Sequence, residues 1–347
     1  MTGRDVHILS AASALPGPAV DNAALARRFG MDPLWEQWVE VFIGTRSRHL
    51  ALDLETGRLT SSLADLAEEA GRRALDAAGL TARDVDAVVL GTATPDRLMP
   101  ATVNIVADRL GIDGVRTFQL QSGCSGAVQA LDIAQQILRS GSGRRVLVLG
   151  GDVIARFYDV TADLRRAAPA ELVNYVLFGD AAGAAVLSTD PGPRPGSARV
   201  RSLFTRLVGL GREPGAVLEW YGPADDRDSG GPAASEDYKA IEEHVPVMAE
   251  EVLAELLNDA GWKPSDVDLL LPPQLSGRMT RLISQRLGLP AAEDVSVVDE
   301  AGNSGNAIVF LQLERALAGP LGPGRRAVGI SIESSKWIKS GFALEGN

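Results

Sequence analysis

Apolar residues recur at helical spacing in two long segments, and a glycine follows each segment where a left-handed C-cap would end a helix. These segments are residues 63–78 with Gly79, and residues 247–260 with Gly261. Short runs of consecutive apolar residues follow at 87–90 and 269–271, and their length is typical of strands buried on both faces. The pattern therefore predicts the same helix–strand unit twice.

The similarity continues beyond these strands. Gly/Ser turns open long apolar helices at 125–138 and 304–317, and further buried strands are predicted at 146–149 and 327–332. Gly79 and Gly261 lie 182 residues apart, whereas aligning Gly123-Cys-Ser-Gly with Gly302-Asn-Ser-Gly requires an offset of 179. We interpret the chain as an internal repeat; the alternative is that helix–glycine–strand units look alike in any α/β protein.

Alternation of strands and helices predicts an α/β fold with parallel sheets covered by helices. We expect an N-terminal half at 1–190 and a C-terminal half at 191–347, joined by the Pro- and Gly-rich segment 190–196. Packed together, the halves would form a five-layered α-β-α-β-α structure. Residues 222–234 are polar and Gly-rich, and they predict an irregular surface loop.

Composition narrows the class of protein. The 347 residues are 45% hydrophobic, and Lys+Arg 34 against Asp+Glu 45 give a net charge of −11, which disfavours nucleic acid or anionic membrane as a partner. No apolar run approaches the ~18 residues that span a bilayer, and the short N-terminal apolar stretch does not resemble a signal peptide. A single cysteine allows no intrachain disulfide and no CxxC metal site. We expect a cytoplasmic protein.

The lone cysteine is the main candidate for chemistry. Cys124 lies between Gly123 and the Ser125-Gly126 pair, which allows a sharp turn into a helix. Free N–H groups and the dipole at a helix N-terminus favour a thiolate, so we expect a lowered pKa and an acyl-accepting nucleophile. The alternative is a buried, inert cysteine.

Several segments resemble the β-ketoacyl-acyl-carrier-protein synthase III branch of the thiolase superfamily. They are Gly-Thr-Ala-Thr-Pro-Asp at 91–96, Met-Pro-Ala-Thr at 99–102, the Cys124 segment and Phe-Gly-Asp-Ala-Ala-Gly at 178–183. The resemblance implies a thiolase fold, a homodimer, Cys124 as nucleophile and Asn303 as an active-site donor. It implies no bound cofactor, because the coenzyme A or phosphopantetheine thioester is a substrate. Trp38 to Arg46 resembles the segment that binds the nucleotide end of the donor.

Two departures from the family pattern affect the expected chemistry. Pro273 stands where the resemblance expects the His of condensing members, which stabilises an enolate together with the Asn. Losing such a donor typically costs about 10²–10³ in rate. The segment from Glu333 to Lys339 replaces the family's C-terminal glycine-rich loop.

We therefore favour a non-condensing acyltransferase. Cys124 would take an acyl group from an acyl carrier protein or coenzyme A and pass it to O, N or S of a small-molecule acceptor, in natural-product metabolism by family analogy. The N–H groups of Cys124 and of the loop holding Ser335 would form the oxyanion hole. Glu333, Glu300 and His244 are candidate bases.

Two alternatives stay open. One is a C–C bond-forming condensing enzyme with an altered site, and the other is a catalytically silent partner subunit. No metal is expected, because the acidic residues Asp152, Asp159, Asp163 and Asp180 have no ligand spacing and suit helix caps or solvated positions.

Overall fold

Strands and helices alternate along the chain as the hydrophobic pattern predicts. The computed structural model describes residues 4–167, 169–192, 196–219 and 234–347. Its strands are β1 His7–Ala14, β2 Val20–Asp21, β3 Ser47–Arg48, β4 Ala87–Gly91, β5 Arg116–Leu120, β6 Arg145–Asp152, β7 Ala181–Ser188, β8 Ala198–Leu207, β9 Ala216–Leu218, β10 Ala234–Glu236, β11 Leu269–Leu271, β12 Glu293–Asp294, β13 Arg326–Glu333 and β14 Ile338–Gly346. The helices are α1 Asn22–Phe29, α2 Pro33–Trp38, α3 Leu63–Ala78, α4 Thr102–Leu110, α5 Gly126–Arg139, α6 Pro169–Leu177, α7 Tyr238–Ala260, α8 Gly277–Leu287, α9 Val298–Ala301 and α10 Ile308–Leu317.

The main sheet consists of two five-stranded halves of the same design. Its strand order is β12-β11-β13-β14-β8-β1-β7-β6-β4-β5. Outward from the centre, β1-β7-β6-β4-β5 mirrors β8-β14-β13-β11-β12, so each strand has a counterpart in the other half. The halves meet where β1 pairs with β8 over only two residue pairs, His7 with Arg199 and Ile8 with Ala198.

The helices form three layers around these two half-sheets. α3 and α4 cover the outer face of the first half-sheet, and α7 and α8 cover the outer face of the second. α5 and α10 lie between the half-sheets, in a core that includes residues of both. The predicted α/β, five-layered α-β-α-β-α fold is confirmed, but the prediction of parallel sheets is wrong. The sheet is mixed, because β7 runs antiparallel to β1 and β6, and β14 runs antiparallel to β8 and β13. The expected boundary near residue 190 falls between β7 and β8, and most of the predicted loop 222–234 lies outside the described residues.

One predicted helix begins earlier than expected. α7 starts at Tyr238 rather than at residue 247, with Pro246 inside it. The Asp237 side chain accepts a hydrogen bond from the Ala240 N–H, and Ile241 and Val245 extend the buried stripe to the proline. Packing of this face against the second half-sheet therefore outweighs the backbone hydrogen bond that proline removes.

The structure also corrects the register of the internal repeat. The 3₁₀ turn Gly123–Ser125 precedes α5, and its counterpart Gly305–Ala307 precedes α10. The first glycine of each turn has positive φ, +44° at Gly123 and +53° at Gly305. The offset of 182 residues thus continues through the turns, and the alignment of Gly123 with Gly302 is wrong. Cys124 corresponds to Asn306, not to Asn303.

Candidate active site

A cavity of about 320 Å3 opens beside the carboxyl ends of β11 and β13. Cys124, Pro273 and Asn303 line it, so the structure brings together three positions that the sequence selects. Apolar side chains form much of the remaining wall: Val173, Leu177, Ile241, Val245, Met279, Ile308, Val309, Ile330 and Ile332. Such a mostly apolar cavity with few polar groups suits an acyl chain.

Close packing from two sides fixes the Cys124 turn. A Cβ on Gly91, the last residue of β4, would overlap the Gly126 carbonyl, so only glycine allows this approach. From the second half, the Ser331 hydroxyl on β13 donates a hydrogen bond to the Cys124 carbonyl at 3.2 Å. The thiol is thereby held at the junction of the two halves, facing the cavity.

A carboxylate of the chain itself occupies the predicted oxyanion hole. Glu333, buried at the end of β13, accepts hydrogen bonds from the N–H groups of Cys124, Ser125 and Ser335. The distance from the Ser335 nitrogen to Glu333 Oε1 is 2.6 Å. A Cβ on Gly123 would overlap this carboxylate, so glycine leaves the space that Glu333 fills. The predicted donors, the N–H groups of Cys124 and Ser335, bond the two different oxygens of this one carboxylate, Oε2 and Oε1.

Burial and neighbouring negative charge raise the pKa of the Cys124 thiol well above its ordinary value. Burial is the main cause, and the carboxylates of Glu333, Asp152 and Glu236 add to it. The expectation that the helix N-terminus lowers the thiol pKa is therefore contradicted. The N–H groups that would favour a thiolate bind the Glu333 carboxylate instead.

The Phe-Gly-Asp segment positions Asn303. The Asn303 N–H donates to the Leu177 carbonyl at 2.9 Å, and the Gly179 N–H donates to the Asn303 carbonyl at 3.1 Å. Asn303 Oδ1 accepts the Gly305 N–H at 3.2 Å. The backbone is thus held on both sides, and the side chain lies at the cavity wall.

Pro273 contributes only its ring and backbone to the cavity. Its carbonyl accepts a hydrogen bond from the Thr280 hydroxyl at 3.0 Å. The next side chain, Gln274, accepts the N–H groups of Val297 and Val298 at 2.8 and 2.9 Å, so it anchors the start of α9. No titratable side chain stands at residue 273 to act on a substrate.

The structure does not bring two of the candidate bases to the cavity. The His244 ring makes an edge-on contact with Trp337 at 5.0 Å between centroids and is absent from the lining. Glu300 forms ion pairs on the surface with Arg315 and Arg46. Among the described lining residues there is no histidine, and of the three candidates only Glu333 contacts Cys124.

One of the two predicted donor-binding residues contacts the cavity lining. The Trp38 ring is 6.3 Å from that of Phe42, which lines the cavity and is 55% exposed. Arg46 is exposed and is not among the lining residues. Their role in binding the nucleotide end of a donor stays a prediction.

Two acidic residues near the site, one of them buried, were not expected to be there. Asp152 is buried and accepts hydrogen bonds from Thr92, Thr94, the Ala93 N–H and Asn306, so it is neither a cap nor solvated. Glu236 lines the cavity, and burial raises the pKa of its carboxyl. Applying the 182-residue offset throughout would have paired Cys124 with Asn306; no sequence signal marks Glu236.

A second correction concerns Asp180. It is buried and accepts the N–H groups of Ala51, Ile154 and Ala155, so it is neither a helix cap nor solvated.

The described residues hold no group of three or more His, Cys, Asp or Glu suited to a metal ion. Within the same ranges, no helix combines the length and apolar character needed to cross a bilayer.

Comparison with known proteins places these features in a family. Residues 118–203 match the family model of 3-oxoacyl-[acyl-carrier-protein] synthase III, and residues 257–334 match the model of its C-terminal part. The chain is 33% identical to the β-ketoacyl-[acyl-carrier-protein] synthase III of Rhizorhabdus wittichii over 322 residues, which cover 92% of this chain and 93% of that protein. It is 30% identical to the Neisseria meningitidis serogroup A enzyme over 334 residues, 95% of this chain and 94% of that one.

Solved structures agree with this similarity. The tetronic acid condensing enzyme AbyA1 superposes with a TM-score of 0.94 and 69% identity, covering 98% of this chain and all of that one. The priming β-ketosynthase of the R1128 polyketide pathway superposes with a TM-score of 0.82 and 27% identity, covering 99% and 97%. The chain has the thiolase fold and belongs to the 3-oxoacyl-[acyl-carrier-protein] synthase III family of transferases.

Proposed function

We propose that this protein is a condensing acyltransferase that assembles a tetronic acid ring through an acyl-enzyme on Cys124. The observation that carries the proposal is the 69% identity to a tetronic acid condensing enzyme over nearly the whole of both chains. This similarity ranks a condensing enzyme above the non-condensing transferase that the sequence favoured.

Ring formation needs a C–C bond, which a condensing enzyme forms, and an ester C–O bond, which a non-condensing acyltransferase forms. A tetronic acid is a five-membered lactone whose ring contains an enolised 1,3-dicarbonyl unit. Built from two acyl thioesters, it requires one C–C bond and one ester C–O bond. One partner must be a 2-hydroxyacyl thioester, and the other a 3-oxoacyl thioester with an acidic C–H between its carbonyls.

In the proposed reaction, Cys124 is the one residue that forms a covalent bond with a substrate. Its sulfur attacks the 2-hydroxyacyl thioester and releases the first carrier thiol. The carbon between the two carbonyls of the 3-oxoacyl thioester loses its proton and attacks the carbonyl of the Cys124 thioester. This attack forms the C–C bond and frees the cysteine. The hydroxyl oxygen then attacks the remaining thioester, closes the lactone and releases the second carrier thiol.

Pro273 suits this chemistry better than a decarboxylative condensation. The enolate of a 3-oxoacyl thioester is delocalised over its own second carbonyl, so it depends less on enzyme donors than a malonyl-derived enolate does. Asn303 at the cavity wall supplies an amide donor. Acyl carrier protein or coenzyme A as carriers, and a homodimer, are part of the proposal by family analogy.

Intact-protein mass spectrometry tests the function. We expect a 2-hydroxyacyl thioester to add one acyl group to the wild type and none to Cys124→Ala. Adding a 3-oxoacyl thioester should discharge the adduct and yield a product that has lost both thiols.

Each alternative gives a different result in the same experiment. Discharge by simple alcohols or amines without a C–C product would support the non-condensing transferase. Discharge by a malonyl carrier with carbon dioxide release would support decarboxylative condensation. No adduct from any donor would overturn the proposal and favour a silent partner subunit.

A further inference from the structure

The Glu333 carboxylate acts on the nucleophile in two ways. It accepts the backbone N–H of Cys124, and its negative charge helps to raise the pKa of the Cys124 thiol. The N–H groups of Ser125 and Ser335 complete its environment, and the residue is 2% exposed. The carboxylate and the predicted oxyanion-hole donors thus form one hydrogen-bonded group at the cysteine.

This arrangement raises two obstacles to acylation. Desolvation and the charges of Glu333 and Asp152 raise the pKa of the Cys124 thiol, which opposes its ionisation. The donors that must stabilise the tetrahedral oxyanion are already bound to a carboxylate. A thioester carbonyl can enter the hole only when that carboxylate weakens its hold.

We propose that Glu333 is the catalytic base for Cys124, and that its protonation opens the oxyanion hole. The thiol proton moves to a Glu333 oxygen while the sulfur electron pair attacks the thioester carbonyl. A neutral carboxyl accepts hydrogen bonds more weakly than a carboxylate, so the N–H groups of Cys124 and Ser335 turn to the new oxyanion. When the C–S bond to the carrier breaks, the leaving thiolate takes the proton from Glu333, and the carboxylate is restored.

Other nearby groups are less suited to this role. Asp152 is committed to a saturated set of hydrogen bonds from Thr92, Thr94, Ala93 and Asn306. Glu236 lines the cavity and acts on the thiol through its charge, without the contact to the Cys124 backbone that Glu333 makes. Burial raises the pKa of the Glu333 carboxyl, which suits a group that must hold a proton transiently.

The inference rests on the proposed function only in that Cys124 accepts an acyl group, and its test uses two reactions of the same sulfur. In Glu333→Gln, removal of one negative charge should lower the thiol pKa. Alkylation of Cys124 by iodoacetamide at pH 7.5 should then accelerate, about tenfold for each unit of pKa. Acylation by a 2-hydroxyacyl thioester should slow by about 10²–10⁴, the usual effect of losing a general base.

Two further variants sharpen this test. Glu69→Gln changes the net charge equally on the exposed face of α3, and it should leave both rates at wild-type values. Glu333→Ala leaves space at the hole, and we expect formate, a small carboxylate, to restore part of its acylation rate. If Glu333 had only a structural role, Glu333→Gln would not change the alkylation and acylation rates in opposite directions, and formate would not restore acylation in Glu333→Ala.

The outcomes separate this inference from the function itself. Wild-type acylation with an equally fast Glu333→Gln variant would overturn the role of Glu333 and leave the acyl-enzyme intact. Slower acylation together with slower or unchanged alkylation, and no formate rescue, would also overturn it. If no donor acylates the wild type, the proposed function fails, and the pH profile of alkylation still decides whether Glu333 controls the thiol.

Discussion

One side-chain amide makes hydrogen bonds from the second half of the molecule to two segments of the first half, next to the nucleophile turn. Asn306 Oδ1 accepts the Ala127 N–H at 2.8 Å in the first turn of α5, and Asn306 Nδ2 donates to Asp152 at 2.9 Å. Asp152 in turn accepts hydrogen bonds from Thr92 and Thr94. The turn that carries Cys124 is therefore held by the residue at the equivalent place in the repeat.

Asn306→Ala tests this contact. The substitution leaves the buried Ala127 N–H without its acceptor and removes a donor from a buried carboxylate. Each orphaned buried group costs about 1–3 kcal/mol, so we expect the free energy of unfolding to fall by about 3 kcal/mol in urea denaturation. Asn104→Ala, at an exposed site whose side chain accepts a hydrogen bond from the Thr117 hydroxyl, should change it by less than about 0.5 kcal/mol. Equal effects of the two substitutions would contradict the assigned role.

At the scale of elements, the repeated 3₁₀ turns depend on glycine for two reasons. Gly305 has a φ of +53°, a region that side chains disfavour. A Cβ there would also overlap the Asp152 carboxylate, as a Cβ on Gly123 would overlap Glu333. Each turn thus places a glycine against a buried carboxylate of the opposite half, which brings the helix N-termini and the acidic side chains together.

Gly305→Ala separates crowding from backbone strain when compared with Gly30→Ala. Gly30 has a similar φ of +62° at the end of α1, and a Cβ there meets nothing within 4 Å. We expect Gly30→Ala to cost about 1 kcal/mol of strain. Gly305→Ala adds overpacking of about 1–3 kcal/mol, for a total near 2–4 kcal/mol in the same denaturation assay. If both substitutions lowered the free energy of unfolding by similar amounts, the overlap of the new Cβ with the Asp152 carboxylate would cost no free energy.

On the scale of the whole molecule, the fold is easier to predict than the site. The bounds of α3 and β11 follow directly from the apolar runs and the capping glycines, because local periodicity encodes them. Glu333 and Cys124 are 209 residues apart, and only the packing of the half-sheets makes the carboxylate a ligand of the hole. Glu333 is one of several candidate bases in the sequence, and no local pattern favours it over His244 or predicts its effect on the thiol pKa.

Concentrating acidic side chains at the centre of the fold gives stability a characteristic pH dependence. Burial raises the pKa of Asp180 from 3.8 to about 6, despite three backbone N–H donors that favour the carboxylate. Burial also raises the pKa of Asp152, Glu236 and Glu333. The folded state binds these protons more tightly than the unfolded chain does. Their stabilising contribution is therefore complete below about pH 4 and disappears as the pH rises through each folded-state pKa.

Exposed carboxyls act in the opposite direction at lower pH. Hydrogen bonds from Thr56 and Thr81 lower the pKa of Asp53 and Asp84, so the stability that these groups provide is lost as the pH falls below about 4. The two trends together predict that stability is maximal on the acidic side of neutrality. Between pH 5 and pH 7.5 we expect the free energy of unfolding to decrease, with Asp180 alone contributing up to about 3 kcal/mol over its whole titration range. Urea denaturation across this range measures the slope, and Asp180→Asn should flatten it even though the variant is less stable overall. A stability that rises from pH 5 to pH 7.5 would show that the buried carboxyls remain ionised in the folded protein, held by their N–H donors more strongly than burial opposes them.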